Sequence, residues 1–196
     1  MPTIYLIRHG ITAANIDKKF AGRSDEPLHP KGIKQLTELA TRLGKKEISR
    51  IVTGPLPRTR QSGEVIDGII KVTVESNEKF NEILLPHWDG LTKTEIRQQF
   101  GDQYPTWLAD PAGFKVAGCE TIQDVQKRAI QGMEQLFATA TNKPILVVTH
   151  LIVARALVLH YRQQTIDDFR SITIDNGSLT TFQRNAAGTT EVTLAT

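Results

Sequence analysis

Two histidines follow directly on short apolar runs: Leu6-Ile7-Arg8-His9-Gly10 near the N-terminus and Val147-Val148-Thr149-His150 near the C-terminus. A third run, Ile51-Val52-Thr53, ends just before a segment that carries Arg58. Short apolar runs rich in β-branched residues read as strands buried on both faces. If the three are neighbours in one parallel sheet, their carboxyl ends share an edge, and open α/β sheets bind ligands at such an edge. The side chains of Arg8, His9, Arg58 and His150 then converge on one crevice. Arginine binds phosphate bidentately and keeps its proton. A histidine set between arginines can attack phosphorus or transfer a proton. This inventory suits a phosphate dianion. Gly10 would let the backbone turn away or approach a ligand closely. Any strand can end in Arg-His-Gly, and a lone histidine is more often a surface or core residue. The repeated strand-then-histidine pattern is what points to chemistry.

Composition narrows the class. At 196 residues the chain fits one large domain with a sizeable core. An apolar fraction of 39% and a charged fraction of 23% are ordinary for a soluble globular protein. Lys+Arg 24 against Asp+Glu 21 gives +3, too slight an excess for a nucleic-acid partner, and there is no basic run with interleaved aromatics. Cys119 is the one cysteine, so no intrachain disulfide is expected, which suits a reducing compartment. No signal peptide and no span of roughly twenty apolar residues is visible. A cytoplasmic protein without a membrane partner is the expectation.

The elements that must position these groups can be read in order. A polar loop, 11–30, holds Asn15, Gly22, Ser24 and Asp25. Pro30 starts a helix with Ile33, Leu36, Leu39, Ala40 and Leu43 at helical spacing and Gly44 as its stop. After the strand 51–53 and Gly54-Pro55 comes a helix bearing Arg58, Arg60, Val65, Ile66 and Ile69, then an alternating strand over 71–75. An irregular segment, 78–90, carries Glu82, Pro86, His87, Trp88 and Asp89. Helices are expected over 93–100 and 103–109. Thr121 is an N-cap for a long helix whose apolar face is Val125, Ala129, Met133, Leu136, Phe137 and Ala140. The strand 145–148 leads into a helix over 152–161, and two strands, 179–184 and 191–194, close the chain. The order predicts an α/β fold, a three-layer α/β/α sandwich around a mostly parallel sheet. It is read as a single domain over 1–196, with a helical insert at about 92–116 above the site.

At this point the residues resemble the histidine phosphatase superfamily, which includes cofactor-dependent phosphoglycerate mutases and many small phosphatases. The resemblance rests on Arg8-His9-Gly10 with Asn15 six residues later, on Gly22, Asp25, Leu28, Gly32 and Gln35, and on the run from Thr53 to Ser62 around Arg58. It continues through Glu82 with Trp88-Asp89-Gly90, through Gly118 to Thr121 with Val125 and Arg128, and through Val147 to His150. The resemblance implies a phosphoglycerate mutase-like fold. It implies His9 as a nucleophile forming phosphohistidine and Glu82 as the acid and base. Arg8, Arg58 and His150 would hold the phosphoryl oxygens, with Asn15 a further phosphate contact. Gly22 and Leu151 are expected to border the substrate.

Departures are few. Ile11 replaces a frequent glutamate, and Pro86, Cys119 and Leu151 each replace a frequent glycine. None removes a charged group that the chemistry needs. His87 and Trp88 are candidates for the entrance, although Trp88 reads equally well as packing. His29 and His160 read as surface or structural, Cys119 as a small apolar residue, and Arg60 and Arg128 as ion-pairing inside the fold. No cofactor is expected. No cluster has metal-ligand spacing, and arginines beside His9 and His150 would repel a cation.

The functional expectation is a metal-independent hydrolase of small phosphate monoesters, working through phospho-His9. A phosphoglycerate mutase-type phosphotransferase is the alternative. The chain looks short for one, and an open entrance favours transfer to water. A non-catalytic phospho-ligand binding module is a second alternative, disfavoured because all the expected charged groups are present. The expected partner is a small phosphorylated metabolite, with a homodimer possible.

Overall fold

The apolar runs that precede the two histidines form adjacent strands of one sheet. In a computed structural model that describes residues 1–194, the sheet has six strands. They are β1 (Thr3–Arg8), β2 (Arg50–Thr53), β3 (Thr73–Ser76), β4 (Ile145–Thr149), β5 (Leu179–Arg184) and β6 (Thr190–Leu194), in the order β3-β2-β4-β1-β5-β6. The first four in that order run parallel, and β5 and β6 add an antiparallel flank. The helices are α1 (Ala13–Asp17), α2 (Pro30–Leu43), α3 (Pro57–Ile70), α4 (Lys93–Phe100), α5 (Gln103–Ala109), α6 (Ile122–Thr139) and α7 (Leu151–Tyr161). Among the described residues, no helix is long and apolar enough to cross a membrane.

Side-chain alternation along the strands explains the three layers. Ile4, Leu6, Ile145 and Val147 pack on one face with Val125, Ala129 and Met133 of α6 and Val153 and Leu157 of α7. Ile7, Leu146 and Val148 pack on the other with Leu36, Leu39 and Leu43 of α2 and Ile66 of α3. Strands covered on both faces need apolar residues at consecutive positions, which is why these runs show no polar interruption. Each such side chain taken from water contributes about 1.5–3 kcal/mol.

Local signals set the helix starts. Thr121 and Asp124 form a capping box at α6, and Thr92 and Glu95 do the same at α4. Pro30 and Pro57 open α2 and α3. His29 caps α2, its Nδ1 accepting from the Lys31 N–H at 3.1 Å, so its role here is structural.

Several expectations need correction. The loop over 11–30 contains a short helix, α1, started by a capping box between Thr12 and Asn15. Lys71 sits in the left-handed region (φ 58°) as the C-cap of α3, so the next strand begins at Thr73 rather than at 71. Ile33 is 44% exposed and lies outside the apolar face assigned to α2. Arg60 is exposed and forms no ion pair among the described residues, so the internal pairing expected of it is absent. At Gly10 the close approach is to a helix. A Cβ there would meet Leu36 Cδ1 at 2.8 Å and the Gly32 carbonyl oxygen at 3.0 Å. Its missing side chain makes room for α2 to cross β1's exit.

Candidate active site

Register brings the two histidines together. Arg8 pairs with Thr149 across β1 and β4, so His9 and His150 are the next residues out of the same edge. The His9 N–H donates to the Thr149 carbonyl at 2.9 Å, and the imidazole centroids lie 5.3 Å apart, edge to face. On the other side of β4, β2 delivers the chain to α3, whose second residue is Arg58. Glu82 arrives from the segment between β3 and α4. That segment is tied to the sheet by the Thr149 hydroxyl, which donates to the Phe80 carbonyl at 2.8 Å.

His9 is 3% exposed, and its Nδ1 lies 2.8 Å from the Gly10 carbonyl oxygen. A carbonyl can only accept, so Nδ1 carries the proton and Nε2 presents a lone pair. Burial, then the charges of Arg58 and Arg8, push the His9 pKa well below its ordinary value. His150 is wholly buried, and the same causes lower its pKa: burial first, then Arg58. Both imidazoles are therefore neutral near pH 7. Neither ring nitrogen of His150 has a hydrogen-bond partner in the protein.

The two arginines are held from behind. Arg8 donates from Nη1 to the Ile174 carbonyl at 2.9 Å. Arg58, 1% exposed, donates to the carbonyls of Ser24 (3.0 Å) and Gly22 (2.5 Å). Each leaves a buried Nε without a partner. Buried polar atoms are almost always paired in native proteins, so the unpartnered nitrogens of Arg8, Arg58 and His150 set this edge of the sheet apart. Helix α7 adds to it. His150 is its N-cap but makes no side-chain cap, and the first-turn residues Leu151 and Ile152 line the cavity.

Glu82 is half-buried by exposure, and desolvation raises its pKa despite the attraction of Arg58 and Arg8. Its Oε1 accepts from the Ile83 N–H at 2.9 Å. Its backbone carbonyl is gripped twice, by Arg23 Nε at 2.8 Å and Arg128 Nη2 at 3.1 Å. Both arginines also bind the Glu120 carboxylate, at 2.7 Å from Arg23 Nη2 and 2.9 Å from Arg128 Nε. Arg128 thus does ion-pair inside the fold, as expected, and holds the segment that carries Glu82.

These groups border a cavity of about 300 Å³. Arg8, His9, Asn15, Gly22, Arg58, Glu82 and Leu151 all line it, and His150 packs against His9 from within. All eight residues singled out in the sequence are therefore at one site. Asn15 Oδ1 is occupied by the Thr12 N–H at 3.1 Å and Asn176 Nδ2 at 3.0 Å, which turns its own amide N–H groups toward other acceptors. Gly22 adopts φ 50°, and a Cβ there would overlap the Asp89 carboxylate. Trp88 is fully buried among Phe20, Tyr104, Trp107 and Phe114, yet contributes to the cavity wall. His87 turns away from the site, its Nε2 2.7 Å from Gln103 Oε1 and its Nδ1 3.5 Å from Cys119 Sγ.

The sequence reading missed several residues at the site. Asn176 sits in what read as a plain turn, and its Nδ2 donates to the His9 carbonyl at 2.9 Å. Lys18, Lys19, Lys93, Trp107 and Ile152 also line the cavity, and no local pattern distinguishes them from surface or packing residues. Among the described residues, no group of three or more His, Cys, Asp or Glu side chains is placed to hold a metal ion.

A family model described as the histidine phosphatase superfamily (branch 1) matches residues 4–196. Phosphoserine phosphatase 1 of Hydrogenobacter thermophilus is 25% identical over 178 residues, covering 91% of this chain and 84% of that protein. Among solved structures, YhfR of Bacillus stearothermophilus superposes with a TM-score of 0.93 at 28% identity, covering 99% of this chain and 96% of that one. A phosphoserine phosphatase from Entamoeba histolytica, solved in complex with 3-phosphoglyceric acid, gives a TM-score of 0.87 at 27% identity, covering 100% of this chain and 98% of that one.

Proposed function

Because the chain belongs to the histidine phosphatase superfamily, we propose that it hydrolyses small phosphate monoesters through a phosphohistidine formed on His9. One observation carries the reading. The hydrogen bond from Nδ1 to the Gly10 carbonyl leaves Nε2 unprotonated on a residue that lines the same cavity as Arg8 and Arg58. A neutral, oriented imidazole beside two fixed cations is the arrangement that phosphoryl transfer requires, since that reaction needs mainly positioning and charge stabilisation.

In the first step the Nε2 lone pair of His9 attacks phosphorus in line with the ester oxygen. The P–N bond forms as the P–O bond breaks, and the departing electron pair goes to the leaving oxygen. Glu82, whose pKa burial raises, gives that oxygen its proton. Arg8, Arg58, His150 and the first turn of α7 meet the charge on the three equatorial oxygens, with Asn15 a further donor. In the second step the Glu82 carboxylate takes a proton from water. The hydroxide attacks phosphorus, the P–N bond breaks, and its electron pair returns to Nε2. Inorganic phosphate leaves with Glu82 protonated again. The cations of the site supply the stabilisation that a metal gives elsewhere, so no metal enters the cycle.

The test is phosphate release from 4-nitrophenyl phosphate in excess chelator, with an alkaline quench to preserve acid-labile phosphohistidine. Release is expected from the unmodified protein, with a labelled phosphoenzyme on rapid quench. Both are expected to vanish in His9→Ala. Full activity in His9→Ala would overturn the reading. Labelled phosphate found on a second hydroxyl of phosphoglycerate, only with a bisphosphorylated primer present, would establish the mutase alternative.

A further inference from the structure

We propose that the preferred substrate is a phosphate ester whose leaving group has an apolar, ring-sized body and a second anionic group at its far end. The proposal rests on the phosphoryl site at His9 and names what lies beyond it. The cavity is lined by five cationic side chains, Arg8, Lys18, Lys19, Arg58 and Lys93, and two carboxylic ones, Glu82 and Asp89. A phosphoryl dianion answers Arg8 and Arg58, and Glu82 holds the proton destined for the leaving oxygen. Three lysines then remain against one further carboxylate of the lining, Asp89, which already accepts from the Arg23 N–H at 3.2 Å and is drawn to Arg58. The mouth keeps an excess of positive charge after the phosphate is bound.

These lysines belong to a built feature. Lys18 caps α1 in the left-handed region (φ 57°), and its N–H closes on the Ala14 carbonyl. Lys19 bridges to Thr92, next to Lys93, and the neighbouring Phe20 N–H donates to the Leu91 carbonyl at 2.9 Å. Two chain segments are thereby clipped together with their lysines on the cavity. Glu95, on the same clip, spends its Oε2 on the Thr92 N–H and hydroxyl, at 2.8 and 2.7 Å, and is attracted by Lys19 as well.

Much of the remaining lining is apolar, with Phe20, Leu85, Trp107, Leu151 and Ile152 among it. A hydroxyl-rich leaving group would lose water there without gaining partners. A ring or branched hydrocarbon body fits, with the anion emerging among the lysines. A volume of about 300 Å³ lies at the low end of small-molecule sites, so a single-ring metabolite fits and a phosphoprotein does not.

The experiment compares 4-(carboxymethyl)phenyl phosphate with 4-ethylphenyl phosphate, whose leaving groups have similar acidity, and with phosphoserine as a polar control. The kcat/KM of the unmodified protein and the Kd on His9→Ala are both measured. The carboxylate ester is expected to lead the ethyl ester by about fivefold in each, the factor that ~1 kcal/mol from exposed charge pairs gives. The lead is expected to shrink toward one in Lys18→Gln, in Lys93→Gln and in added salt. Phosphoserine is expected to trail both. Equal constants for the two aryl esters, or phosphoserine in the lead, would overturn the proposal. A charge preference in Kd with no turnover of any ester would instead overturn hydrolysis and leave the charge-reading subsite standing.

Discussion

Replacing Glu120 with glutamine tests how the acid residue is held without touching it. Glu120 accepts from Arg23 Nη2 (2.7 Å), the Leu84 N–H (2.9 Å), Arg128 Nε (2.9 Å) and Arg128 Nη2 (3.1 Å). Side-chain exposures are 20% for Glu120, 29% for Arg23 and 18% for Arg128. Breaking a fully buried ion pair costs about 3–5 kcal/mol, and an exposed one about 0–1. At these exposures, with both arginines keeping carbonyl acceptors, Glu120→Gln is expected to cost about 2–3 kcal/mol. For a chain of this size that is a drop in Tm of about 5–10 °C. The effect on chemistry is more telling. Arg23 and Arg128 fix the Glu82 carbonyl, so loosening them displaces the Glu82 carboxyl, and ångström-scale misplacement costs up to about 10² in rate. A displaced proton donor matters when the leaving alcohol is basic and little when it is acidic. Steady-state kcat/KM, at a temperature where the variant is folded, is therefore expected to fall at least about tenfold more for an alkyl phosphate than for 4-nitrophenyl phosphate. An equal loss on both esters, or no loss on either, would refute the reasoning that this cluster positions Glu82.

Two further outcomes follow from the site. Burial raises the Glu82 pKa in the folded protein, so the folded state binds more protons than the unfolded state as pH rises from about 4.5, and stability falls as pH rises through the folded-state value. Glu82→Gln removes that cost. The variant is expected to be more stable than the parent near pH 7, to lose that advantage below about pH 4.5 in denaturant melts, and to be impaired on alkyl phosphates throughout. Equal stability at both pH values would remove the basis for assigning Glu82 a raised pKa. Gly22→Ala forces a side chain into a left-handed position, at about 1–2 kcal/mol, and drives a methyl group into the Asp89 carboxylate. Because the Gly22 carbonyl anchors Arg58, KM is expected to rise along with the loss of stability, and an unchanged KM would separate the loop from the phosphate site.

The sequence by itself determined the core of this protein and the reactive groups. Runs such as Ile4 to Ile7 and Ile145 to Val148 read as strands covered on both faces, because consecutive apolar side chains each need an apolar neighbour and the runs have strand length. Capping residues such as Thr121 and helix-opening prolines such as Pro57 act within one turn, so they too are legible locally. Arg8, His9, Arg58, Glu82 and His150 stood out because strand exits and a family pattern single them out.

Tertiary structure decided what has no local signature. Strand order places β4 between β1 and β2, which is what makes His9 and His150 neighbours across about 140 residues of chain. The protonated nitrogen of His9 depends on a carbonyl that only the folded backbone presents. Gly10 was expected to let the backbone turn away or approach a ligand, and the crossing of α2 that it permits was not legible, since a missing Cβ records close approach without saying to what. Glu120 and Arg128 belong to the family pattern and Arg128 was expected to ion-pair, but Arg23 has no local signature, and the three become the support of Glu82 only because distant segments meet there. The lysines of the cavity are the extreme case. Their exposure would let them sit anywhere on a soluble surface, and only the clip between 19 and 92 turns them onto the site.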